Sequence, residues 1–581
     1  ASDCGGKRTC GKCRVKVIEG EVSPPIQVEQ EKLTEQELEK GFRLACCTHV
    51  QGDLKIHVPE KSMITGVRLQ VEGKTEVLTV DPMVRAFDVE VAPATLEDLR
   101  SDMDRITDVL SEQHGQQELV VEPVAVRQLS PLLRKHDWQV TACIRSGEII
   151  GFLPQGVQAV GLAVDLGTTK IAAYLMDLAT GEELASAGAV NPHTIYGEDV
   201  MSRLHHACKN SRTSETGSQE LAQAVRKKLD EILGEMTEEA GLSRVQVMDA
   251  CIVGNTAMTH LLLDLPVRQL AASPYVAATN SAIDIKAREL GLTTSPGAYV
   301  HILPCIGGFV GADHVAMILA SDIDRAESVT LGIDIGTNTE IVLNGPGMSN
   351  LKSVSSPSGP AFEGAHVTDG MRAAEGAIER VRLTGNGVEY ETINDAPAVG
   401  LCGSGIIDIV AELYRWELID ERGRFKKENS RVRQGKNGAE FQLVSGAENG
   451  RGSDVVIAQK DIDEIQLAKG AIRAGIEILL EVTKTPHEMV GEVIIAGAFG
   501  SYLNLINTVD IGLLPDLPNA RFSQIGNGAG VGAKMALISG RERDRARSIA
   551  ARTRYVELTT HPGFNRQFAS GMMFPKADGA M

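Results

Sequence analysis

The 581-residue sequence has no apolar run approaching the roughly 20 residues that cross a bilayer, and its first residues lack the basic and apolar regions of a secretion signal. These absences argue against a helical membrane protein and lead us to expect a cytoplasmic one. Positive charge is also scarce. The 58 lysines and arginines face 77 aspartates and glutamates, a net charge of −19, so no broad basic surface is available to neutralise phosphates along a nucleic acid. Membrane and nucleic acid therefore drop out as expected partners. Of the ten cysteines, those at 143, 208, 251, 305 and 402 are scattered singly, as small buried residues are in a reducing compartment, and make no disulfide framework. The others all fall within the first 47 residues. With 43 % hydrophobic residues, a chain of this length can bury the cores of three or four domains.

The first cysteines stand in "CGGKRTCGKC", with five residues between Cys4 and Cys10 and two between Cys10 and Cys13. "RVKVIEGEV" follows, a strand by its alternation of Val15 and Val17 with charged neighbours, turning at Gly20. Thr34 and Glu37 have the spacing of a capping box, which starts a short helix. "RLACCTHV" brings Cys46 and Cys47, and "DLKIHV" reads as a further strand. Four thiolates from one tight loop and one distant position can hold zinc or a [2Fe–2S] cluster. Structural zinc sites usually pair two short knuckles, whereas three cysteines on a glycine-rich loop plus a distant one is the ferredoxin arrangement. Glycines allow the backbone N–H groups to turn onto the cluster's negatively charged sulfides. The segment resembles the adrenodoxin-like [2Fe–2S] ferredoxins, whose last ligand follows an Arg-Leu-small sequence. That resemblance implies Cys4, Cys10, Cys13 and Cys46 as ligands and Cys47 as a bystander. The family has a hairpin and a helix before its first ligand, and here three residues precede Cys4. Residues 1–62 are accordingly expected to be a β-grasp ferredoxin-like fragment whose N-terminal part is missing.

Residues 63–86 read as a linker and 87–158 as a small α/β middle domain, with "TLEDLRSDMDRITDVLSEQ" a candidate amphipathic helix. At 159 the character changes. "VGLAVDLGTTKIAAYLMDLATGEELA" is a buried strand ending in Asp165, a Gly167-Thr168-Thr169 turn, a second strand and a hairpin closed near Gly181. The pattern recurs in "TLGIDIGTNTEIVLNGPG", with Asp334 and Gly336-Thr337-Asn338 at the matching places. Each copy is followed by a strand-glycine-helix unit, "ACIVGNTAMTHLLL" and "EVIIAGAFGSYLNL". The chain thus contains two related lobes over 159–581. Such turns suit phosphate, because glycine admits close approach, N–H groups converge as an anion nest and threonine hydroxyls add donors. An aspartate ending a buried strand is costly unless its charge is used, and hydrated Mg²⁺ is an obvious use. A single DxGT reads better as a hairpin with a turn aspartate; two at corresponding positions favour nucleotide phosphates. "GNGAGVGAKMA" is not a Walker A loop, since Lys534 is followed by Met, and its glycines read as helix packing. "LHHACK" places His205 and His206 on different helix faces, which suits a solvated helix better than a metal site.

These residues resemble the ASKHA superfamily, the actin, Hsp70 and sugar-kinase fold. The resemblance implies a phosphate-1 motif at Asp165 to Lys170, with Gly167, Thr168 and Thr169, and a phosphate-2 motif at Asp334 to Thr339, with Gly336, Thr337 and Asn338. It also implies an adenosine motif in "IIAGAFG" with Gly497 and Gly500, and Mg²⁺ held through water by Asp165 and Asp334. With "NPHTIYGEDVMSRL", "PCIGGFVGADHVAM", "SPSGPAFEGAHV", "GLCGSGIID" and "YVELTTHPGFNRQF", nearly the whole chain resembles the ATP-dependent reductive activators of corrinoid proteins. That family implies one-electron transfer from the [2Fe–2S] cluster to a Co(II) corrinoid on a partner protein, an external low-potential donor and a homodimer. Gly403, Ser404 and Gly405 are read as further nucleotide contacts. Asp313, Glu363 and Asp408 are candidates to orient the attacking water. Two rival readings are a small-molecule kinase with a redox-sensing cluster and a non-catalytic actin-like interaction module.

Overall fold

The structure is a computed structural model that describes residues 13–52, 54–57, 79–197, 199–208, 216–385, 387–426, 429–436, 438–449, 452–497 and 503–575. Cys4, Cys10 and Gly500 lie outside the described residues.

The N-terminal unit is a small antiparallel sheet, in the order β2-β1-β3, of β1 (Arg14–Glu19), β2 (Phe42–Leu44) and β3 (Lys55–His57), with α1 (Gln27–Lys32) and α2 (Glu35–Glu39) between the first two strands. Thr34 caps α2 as its spacing predicts: Glu37 N–H donates to its hydroxyl and Thr34 N–H to the Glu37 carboxylate at 2.7 Å. Glu29, fully buried, is the tie that the sequence reading missed. Its carboxylate takes both Arg43 Nη2 (2.7 Å) and Nε (3.0 Å), together with the Leu44 N–H at 3.0 Å. It thereby fixes the strand that delivers Cys46 and Cys47. Burial pushes the Glu29 pKa up, but Arg43 and the N–H groups of Leu44 and Ile26 outweigh it and hold it below the ordinary value.

Next, β4 (Val84–Glu90), α3 (Asp102–His114), β5 (Val120–Val121), α4 (Pro123–Lys135), β6 (Gln139–Arg145) and β7 (Glu148–Pro154) build a four-stranded sheet, order β4-β6-β7-β5, backed by the two helices. Its first strand begins at Val84, inside the stretch read as linker. The helix anticipated over Thr95–Gln113 starts at Asp102, because Ser101 caps it through the Asp104 N–H (3.1 Å) and Asp98 holds the preceding turn through Arg100 and Arg105. This unit docks on the next through charge: Glu122 meets Lys286 and Arg288, and Glu148 meets Lys286 and the Tyr299 hydroxyl.

The first lobe contains β8 (Val160–Leu166), β9 (Lys170–Asp177), β10 (Glu183–Val190), α5 (Val200–Cys208), α6 (Thr216–Glu239), β11 (Val247–Gly254), α7 (Thr256–Leu263), β12 (Ile283–Lys286), β13 (Tyr299–Ile302) and α8 (Ala312–Ser321). Its sheet runs β10-β9-β8-β11-β13-β12, with β8 antiparallel to β9 and parallel to β11. The second begins with β14 (Val329–Ile335), β15 (Thr339–Asn344) and β16 (Lys352–Ser356). An inserted unit follows: β17 (Ala377–Thr384), β18 (Gly387–Thr392), β19 (Gly400–Leu401), α9 (Gly403–Arg415), β20 (Val432–Gly435), β21 (Gly438–Val444) and β22 (Val455–Ala458). The lobe closes with α10 (Gln459–Thr483), β23 (Val490–Ala496), α11 (Leu505–Asp510), β24 (Arg521–Gly526), α12 (Gly528–Ile538), α13 (Gly540–Arg552), β25 (Arg554–Tyr555) and α14 (Phe564–Met572). The order β16-β15-β14-β23-β24 repeats β10-β9-β8-β11-β13 strand for strand, with the same parallel and antiparallel senses. The duplication read in the sequence is a duplication of fold.

The lobes share a core. Ala163 and Tyr174 of the first sheet, Val342 and Ile494 of the second, Val315 and Leu319 of α8, and Ala529, Ala533 and Leu537 of α12 form one buried cluster. Although α12 and α13 follow the second sheet in sequence, α13 pairs Arg543 with Asp249 of β11 at 2.6 Å, both side chains buried. Breaking such a pair costs about 3–5 kcal/mol. Where α8 and α12 cross, a Cβ on Gly532 would stand 2.1 Å from the Ala316 carbonyl oxygen. Gly532→Ala therefore forces the helices apart. We expect it to cost about 1–3 kcal/mol, as overpacking does, read as a lowered melting temperature; an unchanged melt would refute the tight crossing.

Candidate active site

The two lobes bring the duplicated turns face to face, with the Thr169 and Thr337 hydroxyls 3.4 Å apart. The first turn is held from behind. Asn191 donates its side-chain amide to the Gly167 carbonyl (2.8 Å) and its N–H to that of Thr169 (2.9 Å), and the fully buried Arg203 donates to that of Thr168. With three carbonyls engaged, the turn is left with its N–H groups to offer a ligand, the makings of an anion nest. Asn255, which caps α7, donates to the Thr168 hydroxyl at 2.9 Å. In the second turn, Thr337 donates to Glu363 Oε1 at 2.7 Å, and Gly336 N–H closes onto the Asn338 carbonyl at 3.0 Å. Thr339 is committed to Ser358, 2.9 Å away and buried.

Asp165 and Asp334 end their strands as expected, and two further carboxylates join them. Asp313 stands in the first turn of α8. Glu340 is the cross-strand partner of Asp334, whereas Asp165 has Ala172 at the corresponding place. The lobes are therefore not chemically symmetric. Burial, then the Asp313 charge, pushes Asp165 up to about 7 against a hydrogen bond from Asn527. Burial and the charges of Asp313 and Asp165 push Asp334 up to about 8. Burial pushes Asp313 up to about 6 and, with the charges of Asp313 and Asp334, drives Glu340 well above the ordinary carboxylate range. Burial is the largest cause for all four, and for Asp165, Asp334 and Glu340 the charge of a neighbouring carboxylate adds to it, a combination that suits a site for a cation. No three His, Cys, Asp or Glu among the described residues stand at direct ligand spacing. A divalent ion here fits as a hydrated one, the habit of Mg²⁺.

Lys170 begins β9, directly after the first turn. Burial pushes its pKa down and Arg372 adds to this, while Glu363 opposes it. Gly497 adopts φ +95°, and a Cβ there would stand 2.6 Å from the Ile335 carbonyl oxygen and 3.0 Å from Asp334 Oδ1. The glycine read as adenosine-facing is thus required by the phosphate-side aspartate. Gly403, Ser404 and Gly405 open α9, where a Cβ on Gly405 would meet the Ile378 carbonyl at 2.2 Å, so that glycine seats the helix on β17. Of the three water-orienting candidates, Asp313 joins the carboxylate cluster and Glu363 stands beside the second turn. Asp408 is taken up by packing, accepting from Asn507 (2.8 Å) and the Val381 N–H (3.3 Å). Lys534 pairs with Glu183 at 3.0 Å, and His206 with Glu220 at 2.9 Å.

At the other end of the chain, the Ala45 N–H donates to the Cys13 carbonyl at 2.8 Å, and this brings Cys13 Sγ within 3.3 Å of Cys46 Sγ. Cys47 is 2 % exposed, with its sulfur 3.7 Å from that of Cys46. Burial and the two neighbouring thiols drive the Cys46 pKa up strongly, a penalty that coordinated iron reverses. The two sulfurs therefore fit as half of a four-thiolate set.

Two duplicated lobes with phosphate turns face to face, joined to a thiol-bearing β unit, define an ASKHA ATPase fused to an iron–sulfur domain. Sequence profiles agree along the chain: a 2Fe-2S iron-sulfur cluster binding domain over 1–51, the RACo linker region over 73–158, the RACo middle region over 160–326 and the C-terminal ASKHA domain of RACo over 328–581. The chain is 30 % identical over 584 residues to the corrinoid activation enzyme RamQ of Eubacterium limosum, covering 98 % of this chain and 93 % of that one. A [Co(II) methylated amine-specific corrinoid protein] reductase of Methanosarcina barkeri is 25 % identical over 399 residues, 63 % of this chain and 68 % of that one. A solved reductive activator for corrinoid, iron-sulfur protein superposes with a TM-score of 0.78 at 34 % identity, over 99 % of this chain and 94 % of that one. The chain belongs to the RACo family of corrinoid activation enzymes.

The raised carboxylates carry two expectations. Mg²⁺ competes with protons for groups titrating at about 6, 7 and 8, so apparent Mg²⁺ affinity, followed by calorimetry, rises from pH 6 to pH 8. A flat profile would contradict the cluster. Without Mg²⁺, these carboxylates hold more protons in the folded state than in the unfolded one between about pH 4 and pH 8, so the stability they contribute falls as pH rises through that window. Asp334→Asn should raise the metal-free melting temperature at pH 8 and remove the stabilisation that Mg²⁺ gives.

Proposed function

We propose that this protein is an ATP-dependent reductive activase, which returns an inactive Co(II) corrinoid on a partner protein to Co(I). Cys4, Cys10, Cys13 and Cys46 would hold a [2Fe–2S] cluster, which when bound supplies single electrons at low potential. Asp165 and Asp334, with Asp313 and Glu340 behind them, would hold Mg²⁺ through water, which when bound offsets the charge of the nucleotide phosphates. Gly167, Thr168, Thr169 and Lys170 on one lobe and Gly336, Thr337 and Asn338 on the other receive those phosphates, and Glu363 orients the attacking water. By resemblance, Gly497 and Gly500 would lie near the adenosine. The reading extends to an external low-potential electron donor and a homodimer, both supported by resemblance alone.

The observation that carries the reading is the meeting of Thr169 and Thr337 at 3.4 Å beside the four carboxylates. A nucleotide bound there touches both lobes at once, so its hydrolysis changes what holds them together. Electron transfer to a Co(II) corrinoid is uphill, and ATP acts on it through conformation, by favouring one arrangement of lobes and partner. A differential affinity of about 5.5 kcal/mol, enough to invert a 1:99 equilibrium, equals roughly 240 mV for one electron.

The test mixes reduced protein, a corrinoid protein and Mg·ATP, and follows the Co(I) absorption spectrum. Co(I) forms with ATP and fails to form without it. Asp334→Ala abolishes that step and leaves the cluster's own spectrum intact; Co(I) formation independent of ATP would sink the proposal.

A further inference from the structure

Arg372 carries a buried nitrogen, Nη1, with no hydrogen-bond partner. Such an orphan is costly in a folded protein unless a ligand completes it. The backbone around it connects the two phosphate-facing elements of the second lobe. On one side, Met371 N–H donates to the Leu401 carbonyl at 2.8 Å and Gly370 bridges to Leu401, which sets Arg372 beside Cys402, the N-cap of α9. On the other, Gly364 lies so close that a Cβ would stand 2.4 Å from the Met371 carbonyl oxygen. Gly364 follows Glu363, which holds Thr337 of the second turn.

Charge points the same way. Lys170 feels Glu363, Arg372 and Cys402, so both cations stand close to that carboxylate and to the start of α9. Neither cation is among the charges that act on Asp165, Asp313 or Asp334. The cleft therefore has a cation-seeking part and a separate anion-seeking part, and the N-terminus of the 13-residue α9 adds its dipole to the second.

We infer that Arg372 contacts the γ-phosphoryl group of ATP and stabilises its charge during transfer to water. The inference rests on the ATPase reading above. In that step the water oxygen forms a bond to the γ-phosphorus as the bond from phosphorus to the β,γ-bridging oxygen breaks. The bridging oxygen keeps the electron pair as ADP leaves, and the departing phosphate carries the proton that water loses. A planar guanidinium spans two of the phosphoryl oxygens, which a lysine ammonium does not.

The experiment compares wild type, R372A and R372K as holoproteins, measuring phosphate release from Mg·ATP, Mg·ADP affinity and melting temperature. R372A should lower kcat for phosphate release by about 10³-fold while Mg·ADP affinity stays within about threefold, because only the γ-phosphoryl contact is lost. Free guanidinium ion should restore part of the rate to R372A and none to wild type, and R372K should remain slow. Unchanged phosphate release in R372A overturns the inference. So does a loss shared by hydrolysis, Mg·ADP affinity and melting temperature without guanidinium rescue, which marks a structural arginine. If wild type releases no phosphate, the ATPase reading falls together with this inference.

Discussion

Mutual repulsion among four carboxylates in one interior is the constraint around which the ATPase lobes are arranged. Asp165 and Asp334 come from strands in different lobes, Asp313 from a helix crossing between them and Glu340 from the partner strand of Asp334. No single element can relieve the repulsion by moving alone. Protons relieve it when the cleft is empty, and a hydrated cation relieves it when the cleft is filled. Nucleotide binding is thereby coupled to the approach of the lobes by electrostatics alone, before any particular contact with base or sugar is considered. The core behind the site resists separation, because α8 and α12 interlock and Arg543 anchors α13 to β11. The outcome is a tight helix crossing beneath a charged cleft.

Much of this was readable in advance, for physical reasons that can be named. Asp165 and Asp334 were legible because a strand, a glycine turn and a returning strand are local, and because the same signal occurs twice. Thr34 with Glu37 was legible because a capping box spans four residues. Glu340 was not, since nothing in "NTEIVL" fixes which residue lies opposite Asp334; that depends on the register of β14 and β15. Asn191 and Arg203 have no role legible in "NPHTIYGEDVMSRL", because the carbonyls they hold lie far back along the chain. Glu29 is invisible for the same reason: its partner Arg43 becomes one only after β2 folds beside α1. The start of α3 was placed too early because the apolar pattern continues upstream of Ser101, and hydrophobic periodicity alone does not weigh a cap against a turn.

The electron-handling end obeys a different logic. Its strands are short and, among the described residues, its apolar core is small: Cys13, Leu33, Leu44 and Cys47, with Ile26, Val28, Leu38 and Cys46 packed against them. Where few apolar groups are buried, a metal centre contributes to folding as well as to chemistry. The buried Glu29–Arg43 pair supplies order that the small core does not. The α/β unit that follows is fastened to the first lobe at β12 and β13 through Glu122, Glu148 and Arg145, so its orientation follows that lobe.

The exchange of helices between lobes also bears on how the chain is made. The face of the first sheet that α12 and α13 cover is synthesised early, but its covering emerges about 200 residues after α8. At roughly 5–20 residues per second, that interval is on the order of 10–40 s. For that time the growing chain carries an uncovered apolar sheet, and the first lobe reaches its final form only once α12 and α13 have emerged. The nucleotide site is thus completed last, after the redox domain and the unit that carries it have already left the ribosome.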